Sequence, residues 1–233
     1  MTRARRAGFA AAALIAAMLL AGLGVWQVER RAWKHELVAA VEARIAAAPV
    51  AAPGPEAWPR IDEKDDAYRR VTATGVFRHD RETLVQAVTE RGAGFWVLTP
   101  LETPRFTLLV NRGFVPSSRR EASTRAAGNV AGPVTVTGLL RVSEPGGAFL
   151  RDNDPAENRW FSRDVAAIAK ARGLKRAAPY FVDADAAPNP GGYPVGGLTV
   201  VRFRDHHLVY ALTWFALCAL SLFFAWRMWH SRD

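Results

Sequence analysis

The hydrophobic and polar positions divide this chain into three parts. No side chain is charged from Ala7 to Val28 or from Leu208 to Trp226, and between these runs lie about 180 residues of mixed sequence. At 1.5 Å per residue the runs predict helices of roughly 33 and 28 Å, enough to cross a hydrocarbon core of about 30 Å. Two crossings put both termini on one side of a membrane and the middle of the chain on the other. The helical pattern outlasts the first run. Trp26, Arg30, Trp33 and Leu37 follow the i, i+4, i+7, i+11 spacing of one helix face, and Val41 and Ile45 extend it.

The period then changes. Ala46 to Pro59, rich in Ala and Pro, reads as a linker. Beyond it, runs rich in Val, Thr, Leu and aromatic residues predict short strands at Tyr68–Phe77, Thr83–Val88, Phe95–Leu101 and Phe106–Val110, the last ending at Asn111-Arg112-Gly113. Further strands are predicted at Val134–Val142, Tyr180–Val182 and Leu198–Phe203. One helix interrupts them, Arg163–Arg172, with Val165, Ile168 and Ala169 on one face and Gly173 as its stop; Pro188–Gly197 is a loop. The expected fold is a membrane-anchored α+β protein: two terminal transmembrane helices flank a β-rich antiparallel barrel or sandwich domain with one packed helix. Its parts are residues 1–28 (cytoplasmic N-terminus and first span), 29–207 (the β-rich domain) and 208–233 (second span and cytoplasmic tail).

Charge orients the molecule. Arg3, Arg5 and Arg6 precede the first span, and Arg227 and Arg232 follow the second. Short basic flanks stay in the cytoplasm, whereas long loops cross regardless of their charge, so the middle domain is expected in the periplasm. A cleaved secretory signal is the alternative for the first run. That run is longer than the 7–15 apolar residues usual in a signal and has no A-x-A-like site after it, which favours an uncleaved anchor. It also begins too early for an Arg- and Ser-rich transit peptide to precede it, and a bacterial inner membrane is the expected home.

Composition removes several classes of function. The single cysteine, Cys218, lies in the second span, and Met1, Met18 and Met228 all fall outside the middle domain. The domain therefore has no disulfide framework and no thiolate or thioether set for handling copper or zinc. The net charge of +9 falls to roughly +5 for the middle domain, which suits anionic headgroups or an acidic ligand better than nucleic acid. There is no repeat, no nucleic-acid motif and no phosphate-binding glycine loop; Gly191-Gly192 and Gly196-Gly197 lack the spacing.

Two clusters near the predicted membrane surface carry chemistry. Trp26, Arg30, Trp33 and Leu37 form either an aromatic belt with a snorkelling arginine or a cation held between rings for a carboxylate. His207, Tyr210, Trp214 and Cys218 share one face of the second helix, where an imidazole above aromatic rings suits axial ligation of a haem; a water-satisfied headgroup histidine is the plainer alternative. His206 is a competing ligand on a face turned by about 100°. His79-Asp80 resembles half of a metal-hydrolase site, but no second His-Asp pair exists and only His35 adds an imidazole, against the three ligands such a metal needs. Ser117, Ser118 and Ser162 have no base beside them in sequence, and no catalytic constellation is visible.

Several of these segments, in this order, resemble the surfeit-locus family of cytochrome c oxidase assembly factors. They are Leu23-Gly24-Val25-Trp26-Gln27 with Arg30, Trp33 and Lys34; Tyr68-Arg69-Arg70-Val71 with Gly75, Phe77 and His79; Val97–Pro100 and Leu109–Pro116; Asn153-Asp154-Pro155 through Asn158, Trp160 and Arg163-Asp164; and His207-Leu208 with Tyr210 and Thr213-Trp214. The match runs from about Leu23 to Trp226. The chain departs from the family pattern at Arg78, where an aspartate is usual, and Asp80 is the nearest replacement. The resemblance implies a non-enzymatic membrane protein that helps install haem a in the catalytic subunit of an aa3-type oxidase. It also implies His207 as axial ligand to the haem iron, with Trp26, Arg30, Tyr210 and Trp214 around the cofactor. Arg202 and Arg204 are further cations for its propionates, and Asn111, Arg112 and Gly113 a partner-binding block. The expected partners are the oxidase catalytic subunit, membrane lipid and a haem a synthase. The alternative is a haem-free scaffold that stabilises the oxidase subunit while His207 plays a structural part.

Overall fold

A computed structural model of the chain describes residues 2–148, 150–199, 201 and 205–230. Two compact units separate, Met1–Ala40 with Val201–Asp233, and Val41–Val200. The first helix, α1 (Arg3–Ala46), runs unbroken through the apolar run and the amphipathic stretch behind it. This is the continuation to Ile45 that the spacing predicts.

The second unit is built on a ring of strands. The stretch read as a linker holds a two-residue strand, β1 (Val50–Ala51), and a single 3-10 turn at Trp58–Arg60. A short helix, α2 (Glu63–Asp66), follows, started by Asp62, whose carboxylate accepts from the Asp65 amide at 2.7 Å. Then come β2 (Arg70–Phe77), β3 (Thr83–Thr89), β4 (Gly92–Glu102), β5 (Thr107–Pro116) and β6 (Pro133–Val142). A small hairpin of β7 (Gly147–Ala148) and β8 (Arg151–Asp152) precedes α3 (Val165–Ala171) and β9 (Ala177–Ala184). The large sheet runs β1-β2-β6-β9-β5-β4-β3, and β2 pairs again with β4 through Val76 opposite Glu102 and Phe77 opposite Leu101. That second pairing closes β2, β6, β9, β5 and β4 into a barrel. β4 reaches both β3 and β2 because its register shifts between Trp96 and Leu98, a bulge that turns the strand. Most pairings are antiparallel, as expected; β1–β2 and β5–β9 are parallel.

Alternation along the strands makes two cores. Val71, Leu101, Leu108, Val110, Leu140, Tyr180 and Val182 pack together as one cluster, the barrel interior, with Phe106 stacked edge-on to Trp58 at 5.7 Å. The intervening Leu109 and Phe181 join Val85, Leu98 and Trp160 in the other cluster, which Val165 and Ile168 of α3 cover. α3 sits inside the predicted span Arg163–Arg172 and is capped by Asp164, which accepts from the Ala167 amide at 3.0 Å. Of the strand predicted at Leu198–Phe203, residues 198, 199 and 201 are not in a strand, and the remainder lies outside the described residues.

The last helix, α4 (His207–His230), belongs with α1 in the first unit. Both are long and apolar enough to cross a membrane, and little of either apolar stretch is buried. Met18 and Leu19 are each 66 % exposed and Leu212 61 %, which the core helix of a water-soluble protein would not tolerate. Within this unit the buried positions are small: Ala10, Ala17 and Gly24 on α1, and Ala211 and Ala225 on α4. Each set repeats at seven or fourteen residues, the seam of a close helix pair. At Gly24 any side chain would run into the ring of Phe215. The protein is anchored in a membrane by this helix pair.

Candidate functional site

The polar groups of the helix pair gather where α4 begins. His207 is its first residue, and its Nδ1 lies 2.7 Å from Oε1 of Gln27 on α1. With the amide oxygen as acceptor, Nδ1 carries the proton and Nε2 keeps its lone pair, the tautomer that an imidazole needs to bind a metal. The His207 backbone amide donates to Asp205 Oδ1 at 3.0 Å, and the other oxygen of that carboxylate meets His35 Nε2 at 2.8 Å and Arg31 Nε at 3.4 Å. The hydrogen bond from His35, followed by that from the His207 amide, holds the Asp205 carboxyl below its ordinary range. Thus residues 27, 31 and 35, successive turns of one α1 face, fix the start of α4.

Gln27 is a site residue that the helical pattern alone does not mark, since it lies between Trp26 and Arg30 on the same stretch of α1. The available signal was its isolation, since it is the one amide in the uncharged run from Ala7 to Val28. The other expected haem neighbours divide. Trp214 is half-buried, while Trp26 and Tyr210 are 53 % and 54 % exposed, and none of the three pairs with another ring among the described residues. Arg30 stacks on Trp33, its guanidinium carbon 4.0 Å from the ring centroid. His206 is exposed and precedes α4. Arg202 and Arg204 lie outside the described residues.

The block Asn111-Arg112-Gly113 is placed differently from expectation. The strand predicted to end at Val110 continues to Pro116, so the three residues sit within β5 and all are buried. Asn111 donates to Asp183 Oδ1 at 2.7 Å and accepts from the Gly113 amide at 3.1 Å. Asp183 also takes Arg141 at 2.9 Å, Arg163 at 3.2 Å and Thr199 at 3.0 Å, a filled acceptor between β5, β6 and β9. Arg112 donates to the Gly128 carbonyl and to Asn189 Oδ1 at 3.3 Å. Gly113 has φ +126°, and any side chain there would strike the backbone of Val195, whose N–H and C=O both pair with Phe114. Burial takes these side chains out of a partner's direct reach. What they shape is the loop 189–197 lying over them.

His79 and Asp80 are committed elsewhere too. His79 Nε2 donates to the Val130 carbonyl at 3.0 Å and its Nδ1 faces Arg112 at 3.4 Å, while Asp80 is paired with Arg78 at 2.9 Å. Arg78 also holds Glu102 at 2.9 Å. Among the described residues no group of three metal-ligating side chains is assembled.

Comparison with known proteins agrees with the order of motifs. The family model described as "SURF1 family" matches residues 14–219. The chain is 38 % identical to mouse Surfeit locus protein 1 over 217 residues, covering 86 % of this chain and 69 % of that protein. It is 37 % identical to the human protein of the same name over 218 residues, covering 86 % and 70 %. A SURF1-like protein of Monosiga brevicollis is 40 % identical over 215 residues, covering 86 % and 80 %. The match takes in α1 from Leu14, every strand of the barrel and α4 through Ala219, so the chain belongs to the SURF1 family.

Proposed function

We propose that this protein is an assembly factor for an aa3-type cytochrome c oxidase that receives haem a as cargo and helps deliver it to the catalytic subunit. It acts as a carrier, not an enzyme, from a bacterial inner membrane with its β-rich unit in the periplasm. Membership of the SURF1 family supports the assembly role. The observation that carries the haem assignment is the 2.7 Å contact between His207 Nδ1 and Gln27 Oε1, which leaves Nε2 as the ligating nitrogen. Haem a is apolar, so exposed apolar side chains on a helix pair suit it as a docking surface, and Arg30 is the described cation available to a propionate. When bound, the haem supplies the iron; His207 would hold it, and Gln27 would fix the ring orientation.

A neutral amide behind the imidazole suits transfer. A carboxylate in that position would raise ligand basicity and tighten the bond to iron. The test is an absorbance spectrum of the full chain, purified in mild detergent from cells that make haem a, beside His207→Ala and Gln27→Leu. A haem a spectrum that is lost in His207→Ala and weakened in Gln27→Leu is the expected result. A colourless wild-type protein under adequate haem a supply would overturn it.

The contacts of His207 with Gln27 and Asp205 equally favour a second reading, a haem-free scaffold whose histidine ties α4 to α1. The two separate in cells. If His207→Ala leaves oxidase maturation intact while changes at Asn111-Arg112-Gly113 abolish it, the scaffold stands.

A further inference from the structure

Arg112 is only 3 % exposed, and no carboxylate among the described residues pairs with it. The nearby acid, Glu82, is occupied by two hydrogen bonds from Arg125. What Arg112 has instead is neutral: a carbonyl at Gly128, an amide oxygen at Asn189, an imidazole nitrogen at His79 and the ring of Phe77 with its centroid 5.0 Å away. Burial pushes this guanidinium down to about 10, against the weaker pull of Glu82. Buried cations in folded proteins are paired, because an uncompensated one is costly to desolvate. Arg112 thus stands as a buried positive charge that lacks its counter-charge.

It also lines a cavity. A space of about 220 Å³ opens between β2, β6 and the segment after β9, with Arg112 and Asn189 among its polar groups and Val130, Val134, Val136 and Pro188 among its apolar ones. A short-chain acid is on the scale of this space. The charge inventory limits the ligand further. Among the described residues Arg112 is the only cation lining the cavity, and Asp185 on the same wall, though held by Arg70 at 2.7 Å, opposes a second negative charge. Nη2 of Arg112 is committed to Gly128 and Asn189, so a carboxylate would meet the guanidinium in a single charge-assisted contact through its remaining N–H groups.

We propose that this cavity binds a small apolar molecule bearing a single carboxylate, with the carboxylate on Arg112 and the apolar body against the valines of β6. The site lies wholly within the unit Val41–Val200 and is independent of haem. It gives the buried block of β5 a ligand of its own.

The test is calorimetric titration of the detergent-purified full chain with butyrate, with butyramide and inorganic phosphate as controls. Butyrate should bind saturably and butyramide should not. Arg112→Gln should weaken butyrate binding at least tenfold. Because Arg112 also holds Gly128 and Asn189, that variant can fail to fold, so Ala187→Phe is the second variant. Ala187 is exposed at the cavity and its replacement fills the space while leaving Arg112 in place. Loss of butyrate binding in Ala187→Phe with an unchanged thermal midpoint supports the site. Equal heats for butyrate and butyramide, binding retained in Ala187→Phe, or phosphate binding in place of butyrate would each overturn it.

Discussion

His79 is neutral by construction. Its Nε2 proton is spent on the Val130 carbonyl, and its Nδ1 faces a guanidinium, so a second proton has no acceptor and a cation for a neighbour. Burial is the largest cause holding its pKa below the ordinary 6.5; the Val130 bond opposes that and the charge of Arg112 adds to it. The unfolded chain takes up this proton near 6.5 and the folded chain only at lower pH. The stabilisation is therefore fully present above about 6.5 and is lost as pH falls through the folded value beneath it. Thermal midpoints measured from about pH 7.5 down to about 5 should fall more steeply for wild type than for His79→Gln, and parallel curves would refute the assignment. None of this was legible beforehand. His79 drew notice for the aspartate beside it in sequence, whereas its partners are 33 and 51 residues away. The same distance hides the Asp183 network. His207 stands out in the sequence as an imidazole at the start of the second span, whereas its partner Gln27 lies 180 residues away along the chain.

At the scale of elements, β5 shows why sequence patterns both succeed and mislead. Its nine residues from Thr107 to Val115 are all buried, because one face fills the barrel and the other lies under α3 and its neighbours. A strand covered on both sides has no polar alternation to mark its course, and Asn111-Arg112-Gly113 inside it imitates a turn. The glycine has a different reason to be there. Gly113→Ala would force a side chain into a left-handed backbone pressed on Val195, at a cost of about 1–3 kcal/mol from the backbone alone. The expected outcome is a lower thermal midpoint with faster proteolytic cutting in residues 186–197, while cutting elsewhere is unchanged. If that loop keeps its protection, Gly113 is not what seats it. α1 and α3 are readable from the sequence because their periodicity is local. The small-residue seam of Ala10, Ala17 and Gly24 was not, since its meaning depends on α4 lying against it.

For the whole molecule, strand positions were foreseeable and ring order was not. Local propensity marks a strand, but its neighbours are decided by partners far along the chain, such as Val110 beside Val182 or Thr72 beside Thr137. β9 is the last strand in sequence and also a middle strand of the ring, bonded to β6 on one side and β5 on the other. A chain stopped after Lys175 should therefore yield no protease-resistant core, while one stopped after Thr199 should keep it; a resistant fragment from the shorter chain would show that the ring closes without β9. Synthesis makes this order a matter of time. The edges of β5 and β6 stay open for about 2–8 s, the interval between completing β6 and completing β9 at ~5–20 residues per second. α1 is by then already in the bilayer, so every newborn copy waits at the membrane surface with unpaired strand edges, an open template for any passing β-strand.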